Sequence, residues 1–408
     1  MMKKYILLWA ISTSFNALAV LPDFNSPEIL ARANILDGYN LPRFSFLNSM
    51  GPVINNAGSV AFKVTAIEGV NNQGLWLKTP QDPNGKIVYV APEERFLTEP
   101  ENINENDQIA FNLYDEGVTD GLLLFDGKTL NVEQVLGPDD LPIQFYTYPQ
   151  VKNNGRIYFR ATSDSNDRSY DEFSGSKLNT IIAEGSDVLG SKLSYLFKPA
   201  INEAGQIAFK ARMGEKGKWE ESNPDSIVVL SPSQDPKAPA SKVITIARDR
   251  DSDPRSPFLG FGNSLGISEK GYVAFMGVQI DSKKSIVLAY DNKLHTLAVE
   301  GQNGLSELEL FTPKVNDQGL VVFRAKDSEG KRAIYIANES GMKRLIGEGD
   351  DISTDLGSGK ILLNPNYPGL AGNIDMNDLG EIVFHCLVVN ASDNKELGSA
   401  VYKITPKK

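Results

Sequence analysis

The sequence predicts an all-β protein, a seven-bladed β-propeller of four-stranded antiparallel blades, closed by an N-terminal strand that completes the last blade. Three observations lead to this prediction. A nine-residue motif occurs seven times, strand-like segments follow each copy, and a segment near the N-terminus supplies the strand that the last copy lacks. Self-similarity at a period of about 40 to 50 residues is typical of propellers and other repeat architectures. We therefore expect residues 20–408 to form a single domain.

The repeated motif reads aliphatic, usually Asn, two variable residues, Gly, any residue, aliphatic, any residue, Phe. Its copies begin at Ile54, Ile103, Val151, Ile201, Ile267, Val315 and Met376. The last position never varies and holds Phe62, Phe111, Phe159, Phe209, Phe275, Phe323 and Phe384. We expect these seven rings to pack between neighbouring blades.

The Asn and Gly positions predict a tight β-hairpin. An Asn side chain at the first corner of a turn can bond the backbone ahead of it, and Gly takes a positive φ at no steric cost. Asp107 replaces Gly in the second copy, where it is tolerated because Asp visits the left-handed region more readily than most residues. Lys152 replaces Asn in the third copy, so we expect that turn to lack the side-chain bond.

Each repeat carries four strand signals with apolar residues at period two. In the first repeat they cover residues 43–53, 60–65, 74–78 and 86–90, and in the second the third and fourth strands cover 121–125 and 130–135. Later third strands are expected at 226–230, 285–290, 332–337 and 399–404. The third repeat is the weak one, because its third strand would be the polar stretch at 170–173. Polar insertions at 213–224, 231–240 and 350–372 account for the two longest intervals between motifs.

The ends of the chain distinguish a closed ring from an open stack of repeats. The last repeat stops after its third strand, whereas residues 34–42 near the N-terminus match residues 134–142 at the end of the second repeat's fourth strand. We therefore predict that a strand near residues 28–35 completes the last blade. Closure of this kind protects sheet edges that an open stack leaves exposed.

The first nineteen residues have the form of a secretory signal peptide. Lys3 and Lys4 give a charged start, an apolar run covers residues 5–10, and Ala17-Leu18-Ala19 is a small-x-small cleavage site. A membrane anchor is the alternative, but the run is shorter than the ~20 residues needed to span a bilayer. Cleavage after Ala19 predicts a secreted or periplasmic protein with no membrane span.

The amino-acid composition limits the classes of partner that are expected. The chain has 41 Lys and Arg against 52 Asp and Glu, a formal net charge of −11, so nucleic acid is not an expected partner. Its single cysteine, Cys386, cannot form an internal disulfide and lies two residues after Phe384 in a strand. We predict a small buried hydrophobe there, with a reactive thiol as the alternative. A monomer is expected.

With these motifs the chain resembles the bacterial exported tandem-repeat proteins named for an Asn-x-x-Gly-x-x-x-Phe motif. The resemblance covers nearly all of the chain after residue 19 and implies a propeller-like fold and export. It implies no activity and no catalytic residues. Members often carry a C-terminal sorting anchor, whereas this chain ends in Thr405-Pro406-Lys407-Lys408. That departure favours free release or the periplasm over attachment to the cell surface.

The residue after each motif Phe forms one positional set with four basic members in an acidic protein. Repeat symmetry should place the set in a ring around the central channel. We predict ligand binding at six of these residues, with Met276 as the seventh member: Lys63, Asn112, Arg160, Lys210, Arg324 and His385. One interpretation is an anion-binding ring for an acidic sugar, phosphate or carboxylate. The other is that each basic side chain pairs with an acidic loop residue such as Glu68, Asp115 or Asp327.

Enzyme signatures are poor. The sequence has no Gly-x-Ser-x-Gly elbow, no His-Glu-x-x-His, no phosphate loop and no Cys or His cluster with metal spacing. His295 lies in an apolar fourth strand, where we expect a structural residue rather than a base. Acidic clusters at 249–253, 350–351 and 164–171 offer the oxygen ligands that Ca²⁺ prefers, but none has the spacing of a complete calcium loop. We predict no catalytic residues and no cofactor, with Ca²⁺ as the weaker alternative.

Two functional hypotheses remain. The first is an exported, non-enzymatic propeller that presents its variable loops to a protein or carbohydrate ligand, because loops on a rigid scaffold usually carry recognition. The second is a propeller hydrolase or lyase that uses loop carboxylates with a divalent metal. Carboxylates from several blades converging over the channel would favour the enzyme, and an aromatic-rich groove would favour binding.

Overall fold

The computed structural model describes residues 20–47, 51–70, 72–115, 118–137, 143–218, 220, 222–231 and 242–407. Every helix or strand within these residues is a β-strand, and the strands form seven antiparallel sheets. The sheets are the blades of a seven-bladed β-propeller, as the sequence predicts. The predicted signal peptide lies outside the described residues, as does most of the insertion at 231–240.

The first strand of the chain and the first three blades have simple strand orders. Strand β1 is Glu28–Ala33. Blade 1 contains β2 (Val53–Ile54), β3 (Val60–Val64), β4 (Gly74–Thr79) and β5 (Asp82–Val90). Blade 2 contains β6 (Phe96–Leu97), β7 (Ile109–Asp115), β8 (Val118–Asp126) and β9 (Asn131–Leu136). Blade 3 contains β10 (Ile143–Val151), β11 (Ile157–Ser163), β12 (Arg168–Ser174) and β13 (Lys177–Ala183).

The later blades keep this plan, with interrupted inner strands in blades 4, 6 and 7. Blade 4 contains β14 (Asp187–Val188), β15 (Ser191–Leu196), β16 (Ala200–Ile201), β17 (Ile207–Met213), β18 (Asp225–Ser231) and β19 (Lys242–Arg248). Blade 5 contains β20 (Phe258–Ile267), β21 (Val273–Gln279), β22 (Lys284–Tyr290) and β23 (Lys293–Val299). Blade 6 contains β24 (Leu305–Leu308), β25 (Lys314–Val315), β26 (Val321–Asp327), β27 (Arg332–Asn338) and β28 (Gly341–Gly347). Blade 7 contains β29 (Asp351–Thr354), β30 (Gly357–Ile361), β31 (Leu370–Met376), β32 (Ile382–Asn390) and β33 (Glu396–Ile404).

Strand β1 closes the ring, as predicted. It pairs antiparallel with β33, so that Glu28 faces Lys403 and Ala33 faces Ser399. The N-terminus thereby supplies the outermost strand of blade 7. The uncertain third strand of blade 3 is also confirmed, since β12 covers the polar stretch at 170–173.

The first strand of blade 1 is the clearest error of the sequence prediction. A continuous strand over 43–53 is wrong, because only β2 at Val53–Ile54 and an isolated bridge between Phe46 and Ala66 are present in the described part of that segment. Phe44 has a φ of 58°, in the left-handed region, which interrupts an extended backbone.

The motif turns have the predicted geometry. The φ of Gly58 is 86° and that of Gly205 is 75°, and Asp107 takes the same region at 59°. The amide of Gly58 donates to the carbonyl of Asn55 at 3.1 Å. The Asn55 Oδ1 atom accepts from the amide of Ser59 at 2.8 Å, which is the bond expected between the side chain and the backbone ahead of it.

The motif Asn has a second role that the sequence analysis missed. Its Nδ2 atom donates to the backbone carbonyl of the next blade: Asn55 to Asn104 at 2.8 Å, and Asn377 to Asn55 at 2.9 Å across the seam between blades 7 and 1. Lys152 loses the turn bond, as predicted, but keeps the bond between blades, because its Nζ atom lies 2.6 Å from the carbonyl of Ile201. The position is therefore a contact between blades as well as a turn residue.

The residue after the motif Asn completes a ring of hydrogen bonds around the hairpin end of the channel. An amide of each blade donates to the side chain at this position in the next blade. The acceptors are Glu105, Asn153, Glu203, Glu269, Asp317, Asp378 and, closing the ring, Asn56. Each acceptor carries a side-chain oxygen, so this position is restricted to Asn, Asp or Glu.

The seven motif Phe rings are buried between blades, as predicted. Each is at most 1% exposed. The Tyr170 ring of blade 3 meets Phe209 of blade 4 edge-on at 5.1 Å, and Tyr89 of blade 1 lies 5.1 Å from Phe111 of blade 2. Burial of such rings is the main source of stability in each contact between blades. In the described part of the chain, no helix is long and apolar enough to cross a membrane.

Candidate functional site

The two ends of the propeller differ in chemistry. Hairpins that carry the motifs lie at one end, and the loops joining second to third strands lie at the other end with the links between blades. We call the second end the loop face. Most of the exposed large hydrophobic side chains of the described residues belong to it, including Leu36, Phe44, Phe46, Val70, Phe96, Leu259, Ile280, Leu310, Leu363 and Tyr367. The two ends of the propeller therefore differ in how much apolar side-chain surface they expose.

The ring predicted from the residues after the motif Phe exists, but its members are inside the protein. Exposed fractions are 6% for Lys63, 1% for Asn112 and 3% for Lys210, Arg324 and His385, while Arg160 is half-buried. The side chains therefore do not form an open rim around the channel. Their role in ligand binding stays a prediction.

Five members of the ring donate to backbone carbonyls of the next blade. Lys63 donates to Leu97 and Asn112 to Tyr146. The other distances are 3.0 Å from Arg160 to Leu196, 3.1 Å from Lys210 to Phe261, and 2.6 Å from Arg324 to Gly372. The sequence hypothesis named acidic loop residues as partners, whereas the common partner is a main-chain oxygen.

Carboxylates pair with only two members of the ring in the described residues. Lys210 Nζ lies 3.0 Å from Asp225, and Arg324 lies 2.7 Å from Glu309. The suggested partner Asp115 instead pairs with Arg95 at 2.7 Å. These partners lie on strands and links that only the folded ring brings close.

Burial shifts the pKa values of the ring. Loss of hydration lowers the pKa of Lys63 and that of Lys210, although Asp225 partly offsets the effect at Lys210. Burial also lowers the pKa of His385 to about 4, so its imidazole is neutral at pH 7. The ring therefore presents cations at Lys63, Arg160, Lys210 and Arg324 and uncharged groups at the remaining positions.

Three cations of the ring are covered by aromatic rings from their own blade, which lie in the inner strand (Tyr148) or in the break that interrupts it (Phe197 and Phe311). The distance from the charged group to the ring centroid is 4.9 Å for Arg160 and Tyr148, 4.3 Å for Lys210 and Phe197, and 4.0 Å for Arg324 and Phe311. These are cation–π distances. Because Tyr148, Phe197 and Phe311 are each partly exposed, we refer to them together as the aromatic rim.

A pocket of about 490 Å³ opens beside this rim at the channel mouth, between blades 4, 5 and 6. Its size falls in the range of small-molecule sites. Apolar side chains form most of the wall, and they include Phe197, Phe261, Phe311, Leu259, Leu310 and Met276. Gly260 and Gly262 leave part of it without side chains, and a Cβ added at Gly260 would meet no atom within 4 Å.

One wall of the pocket is polar and firmly held. Arg212 binds both oxygens of Asp225 at 2.8 and 2.9 Å, and Lys210 adds a bond of 3.0 Å to Asn263. The amide of Asp225 donates to Asp249 at 2.6 Å. Burial raises the pKa of Asp249. Two cations share the Asp225 carboxylate and the Asp249 carboxylate lies behind it, so the side chains of this wall are held in place by ion pairs and hydrogen bonds.

Deeper in the channel, the lining becomes polar and ion-paired. A cavity of about 210 Å³ lies toward the hairpin end, lined by residues from all seven blades. Lys198 of blade 4 reaches Glu101 of blade 2 at 2.6 Å, and Lys314 pairs with Asp375 at 2.9 Å. The first pair joins blades that are not neighbours, so it spans the channel wall across blade 3.

The other residues considered in the sequence analysis are buried or are held by contacts within the fold. Cys386 is buried, and burial raises the pKa of its thiol. His295 Nδ1 lies 3.0 Å from Glu339 of blade 6, and its ring stacks on Tyr290 at 4.7 Å. Asp350 holds Arg344 at 2.6 Å. Among the described residues, no three His, Cys, Asp or Glu side chains are grouped closely enough to hold a metal ion.

Two sequence comparisons bear on identity. The model of a protein family described as "Family of unknown function (DUF7453)" matches residues 151–407, which is more than half of the chain. No curated protein matches the chain.

Solved structures with the same fold share little sequence with the chain. The β-propeller domain of the Trilobed protease from Pyrococcus furiosus has a TM-score of 0.54 at 13% identity, and the match covers 87% of this chain and 94% of that one. An oligogalacturonate lyase in complex with manganese gives 0.55 at 9% identity, with 95% and 98% covered. A puromycin-hydrolyzing peptidase of Mycobacterium tuberculosis gives 0.53 at 10% identity, with 93% and 55% covered. At these identities the similarity shows the fold alone.

Proposed function

The chain belongs to the DUF7453 family, whose description names no activity, and we propose that it is an exported, non-enzymatic binding propeller. Its ligand is a carbohydrate or a protein segment held at the loop-face pocket between blades 4, 5 and 6. The observation that carries this proposal is the composition of the pocket. Aromatic side chains surround a wall of fixed donors, with two glycines that open the floor.

The aromatic wall supports binding of a ligand with flat apolar faces. Phe197 and Phe311 are partly exposed, and Leu310 is 76% exposed. Exposed apolar groups of this size lose water when a ligand covers them, at roughly 25 cal/mol per Å² of apolar surface. Sugar rings and apolar side chains of a peptide both offer such faces.

The polar wall supports orientation of that ligand rather than chemistry on it. Lys210 Nζ has acceptors at Phe261, Asn263 and Asp225, within 3.1 Å in each case. A side chain with three acceptors is held in one position, which gives a preformed site with little entropy cost on binding. The same engagement leaves the Lys210 amine poorly suited to act as a nucleophile or base.

Gly260 offers a direct test. A side chain at this position extends into open space, and the backbone there is not in the left-handed region, so substitution should not strain the fold. The variant Gly260→Leu fills the pocket, whereas Gly260→Ala leaves most of it free and serves as the matched control. Binding to an array of glycans and peptides should be lost in the Leu variant and kept in the Ala variant, with equal melting temperatures.

Two results would contradict the proposal. Retention of all binding by Gly260→Leu would place the ligand elsewhere. Conversion of a bound glycan or peptide to product, particularly when Mn²⁺ or Ca²⁺ is added, would support the hydrolase or lyase hypothesis instead. Product release is measured by mass spectrometry of the incubated ligand.

A further inference from the structure

The aromatic rim differs from an ordinary aromatic site because each ring already has a cation on one face. Arg160, Lys210 and Arg324 lie within 4.9 Å of the ring centroids of Tyr148, Phe197 and Phe311. Arg212 and Lys198 add further contacts at 5.2 Å to Phe197 and 5.1 Å to Tyr148. A cation draws the π electrons of a ring toward itself. The opposite face is then less attractive to a second cation and more favourable for a neutral or anionic group.

The charges around the aromatic rim also favour an anionic group. Lys63 and Arg160 make no ion pair within 4.0 Å in the described residues, and they donate to carbonyl and hydroxyl oxygens instead. The Glu99 carboxylate acts on Lys63 from a longer distance. Lys210 and Arg212 share one carboxylate, that of Asp225. Of the three charged side chains that line the pocket, Lys210 and Arg212 are cations and Asp225 is a carboxylate, although the net charge of the chain is −11. Charges in partly buried surroundings are weakly screened, so a concave site of this kind attracts anions.

The site is extended as well as charged, because several blades each contribute an aromatic residue to it. Tyr148 belongs to blade 3, Phe197 to blade 4 and Phe311 to blade 6, and Phe261 of blade 5 lies between the last two in the pocket wall. Phe261 is only 6% exposed, so the partly exposed aromatic surfaces along the mouth belong to blades 3, 4 and 6. A ligand that repeats a flat ring and an anionic group would match them better than a single small molecule.

We propose that the loop-face pocket binds an anionic oligosaccharide whose sugar rings carry carboxylate groups. This inference rests on the binding function proposed above and names its ligand class. The C–H faces of the sugars lie on the outer faces of Phe197 and Phe311, and the carboxylates face the side of the pocket that Lys210 and Arg212 line. The hydroxyl groups meet polar side chains such as Asn263.

Three probes of equal length separate charge from shape: a galacturonate trimer, a galactose trimer and a glucosamine trimer. Isothermal titration of the whole protein at pH 7 should show the galacturonate trimer binding about tenfold or more tightly than the galactose trimer, a difference of roughly 1.4 kcal/mol. The glucosamine trimer should not bind. Affinity for the galacturonate trimer should fall as ionic strength rises.

Single alanine substitutions test where on the protein the galacturonate trimer binds. Phe197→Ala and Phe311→Ala should each weaken binding of the galacturonate trimer, because stacking surface is lost. Phe96→Ala is the matched control, since Phe96 is 45% exposed, contacts Tyr114 in blade 2 and lies outside the pocket. The affinity of the Phe96→Ala variant for the galacturonate trimer should equal that of the unmodified protein. Circular dichroism of each variant confirms that the fold is intact.

The outcomes separate this inference from the function on which it rests. Equal affinity for the galacturonate and galactose trimers, or preference for the glucosamine trimer, would overturn the anionic ligand while leaving the pocket as a binding site. Failure of all three trimers to bind would overturn the proposal that the ligand is an oligosaccharide. Galacturonate binding that is unaffected by Gly260→Leu, Phe197→Ala and Phe311→Ala would overturn the pocket itself.

Discussion

Asn56 and Asp378 exchange two hydrogen bonds across the seam between blades 1 and 7. The amide of Asp378 donates to Asn56 Oδ1 at 2.8 Å, and Asn56 Nδ2 donates to Asp378 Oδ2 at 3.0 Å. The amide of Ile54 also donates to the Asp375 carboxylate at 3.0 Å. The N-terminal strand is therefore not the only connection between the first and last blades in the described residues.

Deletion of residues 26–40 should still destabilise the protein severely. This segment contains β1, whose pairing with β33 satisfies the edge of blade 7, and Leu30 and Ala31, which are completely buried. The seam bonds remain in the deleted protein but cannot replace a strand. Urea denaturation should show a lower midpoint, and an unchanged cooperative transition would contradict closure by β1.

Gly205→Val should lower the free energy of unfolding by ~1 to 3 kcal/mol. The φ of Gly205 is 75°, and a β-branched side chain is strained in that region. Gly58→Val should behave alike, because its φ is 86°. Gly260→Ala is the control, since its backbone is not left-handed. Equal stabilities for all three variants in chemical denaturation would show that the turn glycines are not required.

Lys152→Asn should stabilise the protein at pH 7. Burial lowers the pKa of Lys152 to about 8 from its ordinary 10.5, so the folded state holds a charge that it disfavours. The unfolded chain binds more protons between these values, and the penalty is complete below about pH 8 and fades as the pH rises to 10.5. Asn restores the motif, and it should donate to the carbonyl of Asn202, as Asn104 donates to that of Lys152.

The expected gain at pH 7 is about 1 to 3 kcal/mol, measured by urea denaturation. It should shrink when the same measurement is made near pH 10.5. Lys152→Met removes the charge without the hydrogen bond, so it should gain less than Lys152→Asn. A loss of stability in Lys152→Asn at pH 7 would show that the ammonium group is needed in the channel.

His385 should make the protein sensitive to mild acid. Its pKa is lowered from 6.5 to about 4 by burial, so the unfolded chain binds more protons between these values. Stability should therefore fall as pH drops from 6.5 toward 4. His385→Asn places at this site the residue that Asn112 provides in blade 2.

That variant should lose less stability than the unmodified protein between pH 6.5 and 4. The difference between their melting temperatures across this window isolates His385 from the carboxylates that titrate nearby. Parallel curves for the two proteins would show that the imidazole is not held neutral in the fold.

Much of the fold could be predicted because its signals are local. Gly205 follows Asn202 by three residues, and Ile207 and Phe209 alternate on one face, so turn geometry and period two specify a hairpin without distant contacts. Seven copies and the strand-like segment at the N-terminus then predicted closure. The error at residues 43–53 arose at Phe44, because no local sequence pattern indicates that its backbone is in the left-handed region.

The candidate site was predicted in part. Lys63, Arg160, Lys210 and Arg324 were identified as one set because they share a position in the repeat. Their burial, and the carbonyl partners in the next blade, were not predicted because every residue of the next blade carries a main-chain oxygen that could serve as the acceptor. Phe197 and Phe311 were missed as well, since they lie outside the motif, although each precedes its basic residue by the same 13 positions, which was a usable signal.

The sequence by itself determined the repeat, its turns, the faces of its strands and the number of blades, because these depend on neighbours within one hairpin. Only the tertiary structure decided that Lys210 lies 4.3 Å from the Phe197 ring, or that Asp225 holds both Lys210 and Arg212. Such contacts depend on how strands twist and how blades pack around the channel. A side chain's partner is then set by the angle between blades, which the order of residues along one strand does not specify.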